Sequence, residues 1–269
     1  MTWLIDLGHF DGHSLIMNFD ISPLLSEWEY QPGQIGVRQF KGKDGVQKIQ
    51  LRVDLGVLQM NAHGRPDGKT PYSYESLLEY FEARLAKHRK AHEGEDEGFE
   101  LGAEDCSRLQ QEAIQYHHRY ICLFQLQDYA GVVRDTKRNL KVFELVENYA
   151  ASEELAWSLQ QFRPQVLMML SRARGSMALD SGDYSEAIAA VKNGLEQLRE
   201  FYQKNGKIEM LEQSGEIQSL DVWLKELQAK RPLTKREKLE FALSEAIRRE
   251  DYEEAAKVRD TLKNMRAPK

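Results

Sequence analysis

The sequence is short of cysteine, proline and long apolar runs. Its 269 residues hold two cysteines, Cys106 and Cys122, whose spacing matches neither a CxxC pair nor a disulfide framework. Both read as buried or idle thiols of a cytoplasmic protein. No run approaches the ~20 apolar residues needed to cross a bilayer. The opening stretch, MTWLIDLGHFDGHSLIM, has no basic leader and carries Asp6 and Asp11, which argues against a signal peptide. Seven prolines in the whole chain leave room for long helices. A net charge of -6 supplies no global field for phosphate backbones. What remains is 41% apolar and 30% charged, a helix-leaning composition, polar for a compact enzyme and ordinary for a helical repeat protein.

The pattern along the chain divides it into five parts. Residues 1–16 show no clear period and read as a disordered or non-native extension. Residues 17–92 read as a small β-hairpin plus helix unit. A short turn after Asp20 has Ser22 as its cap and Pro23 at its first position. Asp44-Gly45 then separates Ile35–Phe40 from the run Val46–Met60, a hairpin signal. In that run Ile49, Leu51, Val53, Leu55 and Val57 alternate with Gln50, Arg52, Asp54 and Gly56, so one face meets a core and the other meets water. Tyr74–His92, with Leu77, Leu78, Phe81 and Leu85 at helical spacing, is the expected cover. Residues 93–105 (EGEDEGFELGAED) read as an acidic linker. Residues 106–230 read as a helical domain and residues 231–269 as a terminal helical hairpin.

Ala62–Thr70, AHGRPDGKT, ends as a phosphate-binding loop does. Only Arg65, Pro66 and Asp67 separate Gly64 from Gly68, where four residues are needed for backbone amides to wrap phosphates. Pro66 removes one amide and Asp67 adds a carboxylate. The stretch reads as a strand-to-helix turn rather than a nucleotide site.

Three segments repeat a short pattern: QDYAGVV at Gln127–Val133, GDYSEAI at Gly182–Ile188 and EDYEEAA at Glu250–Ala256. Aspartate is suited to cap the second helix of a hairpin. Three residues beyond each tyrosine stands Val132, Ala187 or Ala255, slim enough for two helices to approach. In the middle copy Gly175, Ala178, Ala187, Val191 and Gly194 fall where a tetratricopeptide repeat puts small and medium residues, and this part resembles that family. The spacing from Tyr129 to Tyr184 departs from the family's 34-residue period, which implies longer, irregular helices.

The third copy carries the sharpest pattern. Leu239, Leu243 and Ile247 make one helical stripe, and Tyr252, Ala255, Val258, Leu262 and Met265 are placed to meet it. Thr234 and Glu237 form a capping box after Pro232. With Asp251-Tyr252-Glu253, Ala255-Ala256 and Val258-Arg259-Asp260, this segment resembles the UVR motif of UvrB and UvrC, which also occurs in stress adaptors such as McsA and in ClpC. The resemblance implies a hairpin that pairs with a protein partner, another UVR-motif protein being one, as in UvrABC-type excision repair. On that basis the partner-binding residues are Leu243, Ile247, Tyr252, Glu253, Ala256, Arg259 and Asp260. Two short helices bury little area, so such a hairpin is expected to dock on something.

The remaining constellations point to no chemistry. His88 and His92 share a helix face with Lys87, Arg89 and Lys90 around them, a solvated face rather than a zinc site. Of the adjacent His117 and His118, one is expected in the core and one at the surface. Neither cysteine has a partner for nucleophilic catalysis. The fold class expected is therefore mainly α: a tetratricopeptide-like helical domain with a small N-terminal β-hairpin/α unit and a C-terminal UVR hairpin. The function expected is a non-enzymatic interaction adaptor, without catalytic residues, cofactor or metal, and a homo-oligomer is compatible with it. Two alternatives are a stress-protease or arginine-kinase adaptor of the McsA type, whose paired CxxC motifs are missing, and a DNA-binding repair accessory protein. Direct nucleic-acid binding is disfavoured by the absence of a reading helix.

Overall fold

The computed structural model describes residues 20–233 and 235–264. The reading of residues 1–16 and the roles given to Thr234 and Met265 lie outside the described residues. The chain divides into two compact units, Met1–Phe99 with Arg108–Asp128, and Glu100–Ser107 with Tyr129–Lys269. It is mainly helical, with one small antiparallel sheet.

In the first unit, α1 (Ser22–Ser26) is entered through Asp20, not Ser22. The Asp20 carboxylate accepts both the backbone N–H and the hydroxyl of Ser22, because an acid two residues ahead reaches the free amide that Ser22 itself presents. The sheet runs β1 (Gly36–Lys41), β2 (Gln47–Val53) and β3 (Gly56–Asn61), in that spatial order. The run expected as one strand is thus two. Val53 pairs with Gly56, so Asp54 and Leu55 form a two-residue turn, and Leu55 is 91% exposed. The turn shifts the parity, so Leu58 and Met60, not Val57, pair with Leu51 and Ile49.

The polar face of β2 is not left to water either. Gln50 and Arg52 are buried. Arg38 Nε donates to Gln50, and Gln50 Nε2 donates to Gln59, each across 2.7 Å, which makes a ladder over all three strands. Arg52 donates to the carbonyls of Val53, Asp54 and Gly56, tying the turn. Trp28 and Tyr30 cover the guanidinium groups of Arg38 and Arg52, at 4.2 and 4.8 Å. Long side chains of the neighbouring strands and two aromatic rings cover this face of the central strand, which alternation alone did not reveal.

The next helix, α2 (Leu77–Ala91), starts three residues later than the sequence pattern suggested. Ser76 caps it by accepting the Glu79 N–H, while Tyr72 and Ser73 hold left-handed backbone conformations that cannot extend a helix. Its Leu77, Leu78 and Phe81 are buried. Along α3 (Ala103–Gln125), Glu112 and Arg119, seven residues apart and so on one face, are both buried. Arg119 donates to the carbonyls of Asn61 and Gly64, and Glu112 accepts from Arg65 and from the Leu77 N–H.

The second unit takes in residues 100–105, the later part of the stretch 93–105 read as a linker. Leu101 is fully buried and exchanges backbone hydrogen bonds with Tyr149 and Ala151. Within the first unit, Asp96 pairs with Arg89. Four further helices, α4 (Tyr129–Tyr149), α5 (Glu153–Gln160), α6 (Arg163–Asp180) and α7 (Tyr184–Lys204), lead to α8 (Gly215–Lys230). The core of this unit gathers Leu167, Ala187, Val191, Leu195, Leu198, Ile217, Leu220 and Leu227, with Trp157 and Trp223 packed against it. Glycines set the helix spacing. A Cβ on Gly175 would lie 2.6 Å from the Trp223 ring, and one on Gly194 would lie 1.9 Å from Ser171 Oγ. Glu147 of α4 binds Arg163 of α6 and Lys204 of α7, at 3.1 and 2.6 Å. The chain ends in α9 (Lys235–Arg248) and α10 (Tyr252–Asn264), which pack on each other.

Candidate functional site

The loop that resembles a phosphate cradle has the amides of Gly68 and Lys69 committed within the loop itself. Gly68 N–H donates to the Arg65 carbonyl, Lys69 N–H to the Asp67 carboxylate, and the Pro66 carbonyl accepts from Asn61. A phosphate site needs these N–H groups convergent and unspent. Arg65, held at 11% side-chain exposure between Asp67 and the buried Glu112, is a structural clamp.

The histidine pairs are absorbed in local structure. The rings of His88 and His92 stack at 4.0 Å; His88 Nε2 bonds the Glu97 carbonyl and His92 Nδ1 the His88 carbonyl. Among the described residues there is no group of three or more His, Cys, Asp or Glu that could hold a metal. His117 and His118 are both half-buried, instead of one inside and one outside; His117 Nδ1 shares a 2.6 Å hydrogen bond with the hydroxyl of the buried Tyr120, one turn on. Desolvation, then the neighbouring His118, lowers the His117 pKa to about 4. Burial pushes the Cys122 thiol up to about 12 and raises that of Cys106, so both sulfurs stay protonated. No described helix is long and apolar enough to cross a membrane.

The three repeated turns share one backbone design. Gln127, Gly182 and Glu250 each hold a positive φ, at 60°, 73° and 59°. The following aspartate N–H closes a six-residue ring onto Leu123, Ala178 or Ala246, at 2.9, 2.8 and 2.9 Å. Asp183 and Asp251 then accept the N–H of Glu186 and Glu254 and so start the next helix. Val132, Ala187 and Ala255, three residues beyond the tyrosine, are all buried.

In the last of these hairpins the seam is made of small residues. Ala246, Ala255 and Val258 are its buried positions, with Leu239, Ala242 and Leu262 half-buried along it. Ile247 was expected in this seam; it is 53% exposed, because Ala246, one residue earlier, occupies the inward position. Tyr252, also expected to meet the seam, is 70% exposed.

Helical spacing sorts the seven predicted residues into two groups. Leu243 and Ile247, four apart on α9, lie on the same side of the hairpin as Tyr252, Ala256 and Arg259 on α10. The turn register places Ile247 beside Tyr252 and Leu243 beside Ala256, with Glu240 and Arg259 next. Glu253 and Asp260 fall outside this face, on the back of α10. They pair with their own helix, Glu253 with Lys257 at 3.0 Å and Asp260 with Arg259 at 3.0 Å. The opposite side of the hairpin is charged, with Lys238, Glu245, Arg249 and Glu254, and Glu245 bonds Arg248 at 2.7 Å. One side has an open apolar centre, Leu243, Ile247, Tyr252 and Ala256, with Glu240 and Arg259 beyond it; the other is charged along its length.

Comparison with known proteins gives one family match. The model described as UvrB/uvrC motif matches residues 234–267, which is this hairpin. No curated protein and no solved structure matches the chain.

Proposed function

We propose that the protein is a non-enzymatic adaptor that docks a protein partner through the open face of its C-terminal UVR hairpin. One observation carries this reading. The hairpin buries three small side chains while Ile247 and Tyr252 stand more than half exposed beside Leu243 and Ala256. A hairpin this small gains little from its own seam, and the exposed apolar residues sit together, so covering them with a partner adds the missing burial. The UVR motif is found in UvrABC-type excision-repair proteins, and that pathway is where a partner is first to be sought.

The helices before the hairpin serve as its scaffold. The close α6–α7 pair, with Gly175, Ala187, Val191 and Gly194 between the helices, supports the tetratricopeptide-like reading of this part. Two unpaired, buried thiols fit a cytoplasmic setting. The test is partner capture with the full chain and with Leu243→Asp and Ala256→Glu variants. Both substitutions should abolish capture while circular dichroism stays nearly unchanged. Undiminished capture removes the hairpin from the docking role.

A further inference from the structure

We infer that the end of the β2–β3 hairpin, with Leu55 at its tip, is a second protein-docking surface. It fits a partner that offers an apolar pocket of leucine size with a basic rim. This surface belongs to the first unit and stands independently of the C-terminal hairpin. Asp54 and Leu55 form the two-residue turn, and the Leu55 side chain is 91% exposed there. Tight turns favour Gly, Asn, Asp or Ser, so a leucine at this tip serves no local need. The turn is nonetheless held from several directions. The buried Arg52 donates to the carbonyls of Val53, Asp54 and Gly56, and the Tyr30 hydroxyl donates to Asp54 Oδ1 at 2.7 Å. Tyr30 also covers the Arg52 guanidinium. An apolar side chain carried on a fixed tip costs little further ordering when a partner takes it up, which is what an anchor residue requires.

Gly56 points the same way. Its backbone lies outside the left-handed region, and a Cβ added there would meet nothing within 4 Å. Neither conformation nor packing within the chain calls for a glycine, which weakens a strand, whereas close approach of another chain does. The apolar face of the sheet also opens toward this end. Ile49 and Met60 are buried, Val37 and Leu51 half-buried, and Leu58 and Ile35 exposed. The charge here is acidic. No lysine or arginine occurs from Asp20 to Gly36 or from Val53 to Ala62, while Glu27, Glu29 and Asp54 are exposed. Glu29 stands between Trp28 and Tyr30, whose rings cover Arg38 and Arg52. Such acids repel the phosphates of nucleic acid and of an anionic bilayer. One leucine also buries too little to hold a chain at a membrane. A protein pocket with a basic rim satisfies the shape and the charge together.

The test is photocross-linking on the full chain in extract of the native host, with benzoylphenylalanine in place of Ile35, beside the tip. The control carries it in place of Val46, exposed near the β1–β2 turn. One protein should cross-link from position 35 and not from 46, and Leu55→Ser should remove it. That protein, purified, is then titrated against full-length variants. Leu55→Ser and Gly56→Val should each weaken binding at least about tenfold, with thermal unfolding as in the wild type. E27K/E29K should slow association and flatten its salt dependence. Leu243→Asp, in the C-terminal hairpin, should leave this affinity unchanged, so that loss of one docking surface is told apart from loss of the other. Equal cross-linking from 35 and 46 overturns the proposal. Cross-links confined to a second copy, or to residues 1–19 of the chain itself, do the same. So does a purified candidate that fails to bind, or that binds both tip variants as tightly as the wild type.

Discussion

Arg65 Nε donates to Glu112 Oε1 across 2.7 Å, and the same carboxylate oxygen accepts the backbone N–H of Leu77 at 2.9 Å. One fully buried acid thereby holds both the loop that follows β3 and the first turn of α2. Removing Glu112 leaves Arg65 with Asp67 as its ion partner but takes the acceptor from the Leu77 N–H, a lost buried partner that costs roughly 1–3 kcal/mol. Glu112→Ala should therefore lower stability by that order in urea unfolding. Glu112→Gln, which keeps an acceptor for Leu77, should cost less. Lys69→Ala, in the same loop but outside the clamp, should leave stability and nucleotide binding as they are in the wild type.

Glycine is the natural occupant of the left-handed slot in each repeated turn, yet only Gly182 fills it; Gln127 and Glu250 hold the same conformation with side chains. A Cβ in that region costs about 1–2 kcal/mol. Gly182→Ala should destabilise by about 1 kcal/mol, and Gln127→Gly or Glu250→Gly should stabilise by a smaller amount, because glycine also gains entropy when unfolded. Thermal unfolding of the three variants checks the opposite signs.

Gly175 and Trp223 should show coupling. The alanine Cβ at 175 would press on the far end of the indole, at 2.6 Å from Cη2. Overpacking of this kind typically costs about 1–3 kcal/mol. Gly175→Ala should be tolerated far better in a Trp223→Leu background, and a double-mutant cycle measures the difference.

His117 gives the chain an acid sensitivity of definite sign. Its folded pKa, about 4, lies below the ordinary histidine value of 6.5, so between these values the unfolded chain binds the additional proton. The stability associated with the neutral, buried ring is present above pH 6.5, is lost as pH falls toward about 4, and does not change further below that. His117→Gln should flatten this part of the stability-against-pH curve. An unchanged slope would assign the acid sensitivity to other groups.

The parts legible in the sequence are those fixed by local spacing. The Asp-Tyr turns, the slim residues that follow them and the glycines between α6 and α7 all appear where their periods put them. The parts missed depend on neighbours far along the chain. Gln50 and Arg52 read as solvated because strict alternation assigns half a strand to water, yet Gln50 has partners on both flanking strands and Arg52 is held by the carbonyls of the β2–β3 turn and covered by Tyr30. Glu112 and Arg119 sit in the same stripe as Leu109, Tyr116 and Leu123, and two charges in an apolar stripe were the available signal. At the hairpin, Ile247 outranked Ala246 by hydrophobicity, but the turn geometry set alanine against alanine and left the larger residue outside.

That arrangement gives the sharpest test of which surface docks. Phe241 is 61% exposed, more than Ile247, and is the larger apolar side chain. If docking followed exposed hydrophobicity alone, Phe241 would dominate. It lies on the back of α9, away from α10, so it cannot join the Leu243, Ile247, Tyr252 and Ala256 face. Hot spots cluster centrally in one patch rather than scatter over opposite sides. Ile247→Ser and Tyr252→Ala should each weaken partner capture by roughly tenfold or more, a loss of at least about 1.4 kcal/mol. Phe241→Ser should leave affinity unchanged within about twofold, the range of near-neutral substitutions outside a hot spot. The reverse ranking, measured by titration of the full-length variants, would move the docking surface to the back of the hairpin.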